Sequence, residues 1–192
     1  MQGTGTAMGI VISTNGGSSW TPVKICSQDG SQSNVAAVAP SNANILYVGG
    51  QTASYTGLVY KSTNGGIDWT AITNGIQYVP QSIAVDPQDP NIVYVGTTYE
   101  VWRSSNGGTS WTKCTFPTSA YNFGTVVVNP EDPNQVFVGC GQGVFYSQNR
   151  GLTWTDLTPG LIVPFVSQLY FNPTTGTLYA GTEGGGLYKR KF

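Results

Sequence analysis

The chain has 192 residues, of which 39% are hydrophobic and only 9% are charged, with eight basic and nine acidic side chains. A net charge of −1 offers no basic stripe of the kind that binds nucleic acid, so we expect no nucleic-acid partner. The absence of histidine removes the commonest zinc ligand and the usual general base at neutral pH. No apolar run reaches the roughly 18–20 residues of a membrane-spanning helix. We therefore expect no metal, no cofactor and no insertion into a membrane.

An eight-residue pattern, Ser-x-Asn-x-Gly-x-x-Trp, occurs four times and is called the box below. Its tryptophans stand 49, 42 and 43 residues apart, a period typical of propellers and solenoids. Asn-Gly steps favour the positive φ of a tight turn, and Ser and Asn side chains can bond the backbone there, so we interpret the box as structural. The box residues are Ser13, Asn15, Gly17, Trp20, Ser62, Asn64, Gly66, Trp69, Ser104, Asn106, Gly108, Trp111, Ser147, Asn149, Gly151 and Trp154.

The chain in order reads as repeats of four strands, which we label A to D. Residues 1–26 form a partial repeat, with predicted strands at 9–13 and 20–26 on either side of a box. Residues 78–117 show the full pattern, because alternating or apolar runs predict strands and Pro-rich segments predict turns between them. The four strands are predicted at 81–86, 91–96, 100–104 and 111–115. Units 31–74 and 121–158 repeat this pattern, and 163–192 stops after strand C.

Four antiparallel strands in about 43 residues predict an all-β fold, a β-propeller of about five blades in one domain, 1–192. The first repeat has only strands C and D, and the last lacks strand D. The ring could close within one chain as four or five blades, which we favour, or with a partner chain as a homodimer of eight to ten. A third interpretation is that the chain is a piece of a longer propeller.

The box resembles the Asp-box, or bacterial neuraminidase repeat, with Asn in place of the usual Asp. The longer repeat unit resembles the repeats of family 74 xyloglucanases. This unit begins at Asp86-Pro and continues through Val-Tyr-Val-Gly-Thr and Val-Trp-Arg-Ser into the box. Sortilin-type propellers and the propeller assembly factor of photosystem II are similar in style. The resemblance implies a propeller, and its families include glycoside hydrolases, lectins, receptors and assembly factors.

In such a propeller the D–A connections and B–C loops share one face, called the loop face below. Its expected side chains are aromatic or amide and rarely charged, a combination that suits sugar rings and predicts a glycan or protein ligand. The alternative is that the aromatics cap the central channel. The candidate ligand-binding residues are Tyr55, Tyr78, Tyr99, Tyr121, Asn122, Phe123, Gln142 and Phe165.

Three acids fall on the same face, and they are the candidate catalytic residues: Asp29, Glu100 and Glu183. An inverting glycosidase would need two of their carboxyls roughly 6.5–9.5 Å apart. Sialidase relatives imply three convergent arginines, whereas Arg103, Arg150 and Arg190 lie in or beside box positions.

Three functional hypotheses follow from this sequence. The first is a non-catalytic binding or scaffold propeller, extracellular or periplasmic, although no signal peptide is visible. The second is a fragment or relative of a glycoside hydrolase, and the third is a self-assembling or engineered propeller.

Overall fold

A computed structural model describes residues 8–27, 30–162 and 164–192. Within those ranges the chain forms seventeen β-strands, and no helix is present that is long and apolar enough to cross a membrane. The candidate Asp29 lies outside the described residues.

The strands fall into five antiparallel sheets, numbered here in chain order. The first sheet has two strands, β1 (Gly9–Ile12) and β2 (Thr21–Lys24). The second has four, β3 (Gln32–Ala39), β4 (Asn42–Gln51), β5 (Gly57–Ser62) and β6 (Thr70–Ala71). The third comprises β7 (Pro80–Val85), β8 (Val93–Thr97), β9 (Val101–Ser104) and β10 (Thr112–Lys113). The fourth comprises β11 (Thr125–Val128), β12 (Val136–Cys140), β13 (Gly143–Ser147) and β14 (Thr155–Asp156). The fifth has three, β15 (Val166–Asn172), β16 (Thr177–Thr182) and β17 (Gly186–Lys191).

Each four-stranded sheet is a meander in which consecutive strands pair, so its strands occupy the predicted A, B, C and D positions. The A strands β3, β7, β11 and β15 pack against one another from sheet to sheet, which places them on the inner side. The predicted all-β class is confirmed, and the described residues form a partial β-propeller of about five blades.

The core lies between the sheets rather than inside any one of them. Four apolar clusters fill the four gaps between successive sheets, and each takes side chains from both of its neighbours. Because both faces of the fourth sheet are covered, every residue of β12 is buried, and its Phe137 stacks on Tyr146 and Phe171 at 4.9 and 5.3 Å. A single blade could not bury such a strand, so the repeats stabilise one another.

The D strands are shorter than the sequence predicts. The expected strand at 111–115 is reduced to Thr112–Lys113, with one further bond from the Cys114 N–H to the Val101 carbonyl, 2.8 Å long. A D strand lies at the outer edge and pairs on one side only, so the chain leaves it as soon as the next connection begins. The box tryptophans therefore precede the D strands rather than opening them.

The sheets form an open arc over the described residues. No apolar cluster joins the fifth sheet to the first or second. Val38 on the second sheet and Tyr170 and Leu187 on the fifth remain 52%, 62% and 72% exposed. The one-chain closure that the sequence favours is thus not seen among these residues.

Candidate functional site

The box is a turn held by its own side chains. In the third sheet the Ser104 hydroxyl accepts the Gly108 N–H at 2.8 Å and donates to the Asn106 Oδ1 at 2.9 Å. The Asn106 Oδ1 also accepts the Ser110 N–H at 2.9 Å. Gly108 has a φ of 89°, and a Cβ there would collide with Ile72 of the preceding sheet. The other three boxes have the same Ser and Asn bonds, so the side chains of these turns are used within the turn.

The box tryptophans pack toward the preceding sheet. The Trp111 Nε1 donates to the Ile72 carbonyl at 2.7 Å, and Trp154 lies 5.0 Å from Phe116, between ring centroids. Trp69 packs against the cluster shared by the first and second sheets. Trp20 has no described sheet before it and remains 60% exposed.

Hydrogen bonds between neighbouring connections hold the loop face together. The Gly57 N–H bonds to the Gln77 carbonyl at 2.9 Å, and the Glu183 N–H bonds to the Phe165 carbonyl at 3.0 Å. Tyr121 makes two such bonds, from its N–H to the Gln142 Oε1 at 2.7 Å and from the Gly141 N–H to its carbonyl at 2.9 Å. The connections on this face therefore have fixed positions relative to one another.

The clearest site on the loop face is built around a pair of tyrosines. Tyr78, from the connection after β6, meets Tyr99, from the loop between β8 and β9, edge to face at 4.8 Å between ring centroids. Both rings are accessible, at 38% and 57% exposure, and Tyr55 is 74% exposed with a φ of 61°. A left-handed conformation is uncommon for a non-glycine residue and occurs at ligand sites more often than elsewhere.

A cavity of about 280 Å³ opens beside Tyr99. Its wall includes Phe116 and the hydroxyl-bearing Thr118 and Ser119. Glu100 and Lys113 also line it, with the Lys113 Nζ 2.7 Å from the Glu100 Oε1. A volume just below the usual ligand-pocket range of roughly 300–1,000 Å³ suits one small group rather than an extended chain.

The predicted Phe123 is a core residue, not a surface residue. It is only 2% exposed and stacks on Phe116 at 5.0 Å in the cluster between the third and fourth sheets. The preceding turn accounts for the inward position of the Phe123 ring. Asn122 has a φ of 55°, and the Phe123 N–H donates a hydrogen bond to the Thr97 carbonyl at 3.1 Å. Phe123 therefore lines the cavity from the core and does not lie on the outer surface.

The two predicted acids within the described residues, Glu100 and Glu183, are not brought together. Glu100 is held on both oxygens, by Lys113 and by the Trp102 Nε1 at 3.0 Å. Glu183 is exposed in the loop between β16 and β17, two sheets further along the arc. Packed sheets lie about 10 Å apart, so roughly 20 Å separates the two positions, far beyond the spacing of a glycosidase pair.

The remaining predicted residues are spread along the face. Tyr121 is 49% exposed and its ring lies over Gly141, while Gln142 is committed through its Oε1 to the Tyr121 N–H. Phe165 is half-buried near Glu183 on the fifth sheet. The structure thus brings Tyr78 into contact with Tyr99, which lines the cavity, and leaves Tyr121, Asn122 and Gln142 outside the cavity lining.

Buried ionisable groups lie between the third and fourth sheets. Burial raises the pKa of the Cys114 thiol to about 11 and that of Tyr94 to about 12. Asp86, fully buried, has its Oδ2 3.2 Å from the Arg150 Nε, across the gap between the third and fourth sheets. The angles at this contact do not make a hydrogen bond, so the pair is held by charge.

Sequence reasoning missed the polar wall of the cavity. Lys113, Thr118 and Ser119 line it, but they lie at the end of a D strand and in an irregular connection. No periodicity marks such residues. The pairing of Lys113 with Glu100 could have been found from the C–D register, since Lys113 stands opposite Trp102, two residues beyond Glu100.

No protein-family model and no curated protein matches this chain. Among solved structures it is similar to an ancestral GH74 enzyme, at 27% identity and a TM-score of 0.72, over 90% of this chain and 24% of the other. It is also similar to the GH74 enzyme of Niastella koreensis, at 20% identity and a TM-score of 0.70, over 90% and 31% of the two chains. YCF48 bound to D1 peptide matches at 16% identity and a TM-score of 0.53, over 88% and 57%.

These likenesses define the class of protein, a β-propeller that resembles GH74 and YCF48 propellers. The chain spans less than two thirds of the length of each of these solved structures, and less than a third of the two GH74 enzymes.

Proposed function

We propose that this chain is a non-catalytic binding propeller that holds a carbohydrate on its loop face. The observation that carries the proposal is the exposed Tyr78–Tyr99 pair, whose Tyr99 lines the 280 Å³ cavity. Tyrosine offers a flat apolar ring with a polar end, which matches the apolar face and hydroxyl rim of a sugar ring.

The polar groups around the cavity support this choice. Thr118 and Ser119 can each donate and accept, and the Glu100–Lys113 pair supplies a fixed acceptor and a fixed donor. Since neither charge is unpaired, the site favours a neutral polyhydroxy ligand over a charged one. The likeness to GH74 enzymes agrees with a carbohydrate ligand, although the chain covers only part of them.

Hydrolysis is the weaker alternative because of the positions of the acids. Glu100 is committed to Lys113 and Trp102, and Glu183 lies two sheets away. Without a second nearby carboxyl, the described residues around Tyr99 can bind and orient a sugar but have no acid–base pair to cleave it. An extracellular or periplasmic location belongs to the same proposal, since glycans are abundant there.

The test is titration calorimetry with xyloglucan and β-glucan oligosaccharides, for the unmodified chain and Tyr99→Ala. We expect the unmodified chain to bind and Tyr99→Ala to weaken binding at least tenfold. Ile67→Ala is the matched control, because Ile67 is 71% exposed in a box turn on the opposite face. Equal affinities for Tyr99→Ala and the unmodified chain would contradict the site.

Two further experiments distinguish carbohydrate binding from hydrolysis and from protein binding. Release of reducing sugar by the unmodified chain that Glu100→Gln abolishes would favour the hydrolase. Binding of a peptide panel in place of glycans, lost in Tyr99→Ala and kept in Ile67→Ala, would assign the same face to a protein partner.

A further inference from the structure

Asparagine followed by glycine is a pair of residues that can react with itself. The glycine nitrogen can attack the side-chain carbonyl carbon of the asparagine, because glycine has no Cβ to hinder the approach. The chain has four such pairs, which begin at Asn15, Asn64, Asn74 and Asn106. Three of them belong to boxes, whereas Asn74-Gly75 lies in the connection after β6, so protected and unprotected pairs can be compared within one molecule.

In the boxes both reacting groups are held by hydrogen bonds. The Asn106 Oδ1 accepts the Ser110 N–H at 2.9 Å, and the Asn106 Nδ2 donates to the Ser110 Oγ at 2.8 Å. The nitrogen that would attack is also held, because the Gly107 N–H bonds to the Asn91 carbonyl at 2.9 Å. The box of the second sheet has the matching bonds around Asn64. Attack in these boxes must therefore break several hydrogen bonds.

The pair Asn74-Gly75 forms the centre of a tight turn instead. The Ile76 N–H bonds to the Thr73 carbonyl at 2.8 Å, and Gly75 has a φ of 93°, which is the pattern of a type II turn with glycine in its usual place. The central N–H of such a turn takes no part in the turn hydrogen bond. Both central residues are exposed, and the Gly75 N–H has no hydrogen-bond partner among the described residues.

The Asn74 side chain is held at one end only. Its Nδ2 donates to the Thr109 carbonyl at 3.1 Å and to the Gly108 carbonyl at 3.5 Å, both in the box of the third sheet. Its Oδ1 has no hydrogen-bond partner in the part of the chain that the structure describes. A Cβ at Gly75 would meet no heavy atom within 4 Å, so the turn is also open from outside.

We propose that Asn74 is a site of spontaneous modification, at which the side-chain amide becomes an acid through a cyclic imide. The Gly75 nitrogen loses its proton to solvent and attacks the Asn74 Cγ. A bond forms between this nitrogen and Cγ, the bond from Cγ to Nδ2 breaks, and Nδ2 leaves as ammonia. Water then opens the ring at either carbonyl carbon and gives aspartate or isoaspartate. One water enters and one ammonia leaves, with no oxidation or reduction.

The product cannot keep the contact with the third sheet. A carboxylate at position 74 has no proton to donate, and it faces the carbonyl oxygens of Gly108 and Thr109, which repel it. The third box is different, because the partner of the Asn106 Nδ2 is the Ser110 hydroxyl, which can turn and donate to a carboxylate. Modification of Asn74 therefore weakens the contact between the connection after β6 and the box of the third sheet.

The first experiment measures the conversion of each pair by mass spectrometry of proteolytic peptides. The folded chain is incubated in mildly alkaline buffer made with heavy-oxygen water, which labels each newly formed acid, and Asn74→Gln confirms the peptide assignment. We expect conversion at Asn74 to be at least about tenfold faster than at Asn64 and Asn106, because attack in the boxes must break two or more hydrogen bonds.

The same incubation in concentrated urea separates the effect of the fold from that of the local sequence. The turns are lost there, so the rates at Asn74, Asn64 and Asn106 should become similar. Equal rates in the folded chain, or faster conversion in a box, would overturn the proposal. A preference for Asn74 that persists unchanged in urea would also overturn it, because the fold would then have no part in the selection.

The second experiment measures the consequence of the modification directly. Asn74→Asp introduces the product acid, and Asn106→Asp is the matched control with the same change of charge. We expect Asn74→Asp to lower the urea midpoint of unfolding and Asn106→Asp to leave it unchanged or raise it. An unchanged midpoint for Asn74→Asp, or an equal loss in the two variants, would contradict the weakened contact. Neither experiment needs a ligand, so the outcome does not depend on the carbohydrate site.

Discussion

At the scale of single residues, one exchange distinguishes the fourth box from the other three. Arg150 stands where the others have Gly16, Gly65 and Gly107, and it keeps the positive φ of that position at 55°. The residue before the proline of the A–B turn is Asp86 in the third sheet, whereas it is Asn129 in the fourth and Asn172 in the fifth. The two departures meet, because the Arg150 Nε lies 3.2 Å from the fully buried Asp86 Oδ2. The Arg150 guanidinium thus compensates the buried Asp86 carboxylate, and both residues depart from the repeat at the same contact.

This pairing predicts that Arg150→Gly is destabilising even though glycine fits the backbone better. The change leaves the Asp86 carboxylate buried without a counter-charge, which costs about 3–5 kcal/mol of unfolding free energy. The double variant Asp86→Asn with Arg150→Gly restores the pattern of the other repeats and should recover most of the loss. Urea unfolding of both variants measures this, and a neutral or stabilising Arg150→Gly would contradict it.

A buried thiol and two buried phenol groups predict a loss of stability at alkaline pH. The folded pKa of Cys114 is about 11 and those of Tyr47 and Tyr94 are about 12, each raised first of all by burial. The same groups ionise near pH 9 and 10 when exposed, so the unfolded chain releases their protons first. Stability should therefore be unaffected by these groups below pH 9 and fall as the pH rises from 9 through 12. Urea midpoints measured from pH 7 to 12 test this, and Cys114→Ala should flatten the first part of the decline.

At the scale of elements, the box and the short D strand act as one unit. The box turn brings its tryptophan against the preceding sheet, and the two residues that follow pair with the C strand. The third and fourth boxes are packed between sheets, where Ser104 and Ser147 are 1% exposed, whereas the first box is at the end of the arc. The same turn therefore contributes different amounts to the free energy of unfolding in different repeats.

We predict that Ser104→Ala destabilises the chain by about 1–3 kcal/mol, because it leaves the buried N–H of Gly108 without its acceptor. Ser13→Ala removes the matching bond to Gly17 in an exposed turn, where water can replace the hydroxyl. It should change the unfolding free energy by less than about 0.5 kcal/mol. Thermal unfolding of the pair measures the difference, and equal losses would show that the box itself, not its burial, sets the cost.

At the scale of the whole molecule, the arc separates its two surfaces. The loop face carries the Tyr78–Tyr99 pair and the cavity beside it, and the opposite face carries the boxes and the A–B turns. The ends of the arc are incomplete sheets with exposed apolar side chains, at Val38 on one side and Tyr170 and Leu187 on the other. The proposed ligand site and the box turns therefore lie on opposite faces of the same scaffold.

Much of the architecture could be predicted from the chain alone, because the repeat specifies it many times over. Each box combines residues that favour one turn, and each run such as Val93–Thr97 can only be buried between two layers. The site was harder to predict. Tyr78 and Tyr99 were expected on the loop face, but Phe123 was assigned there too and is instead in the core, since local sequence does not reveal which way a ring turns after a left-handed residue.

The amino-acid sequence by itself thus determined the all-β class, the repeat, the box turns and the loops that share a face, because these depend on local turn chemistry and on periodic burial. Only the tertiary structure decided which loop residues meet, that Glu100 is bound by Lys113 and Trp102, and that Asp86 and Arg150 form a pair between sheets. It also decided that the arc stays open over the described residues. These features depend on the positions of neighbouring sheets, and a sheet's position is set by packing across the gap rather than by the residues along one strand.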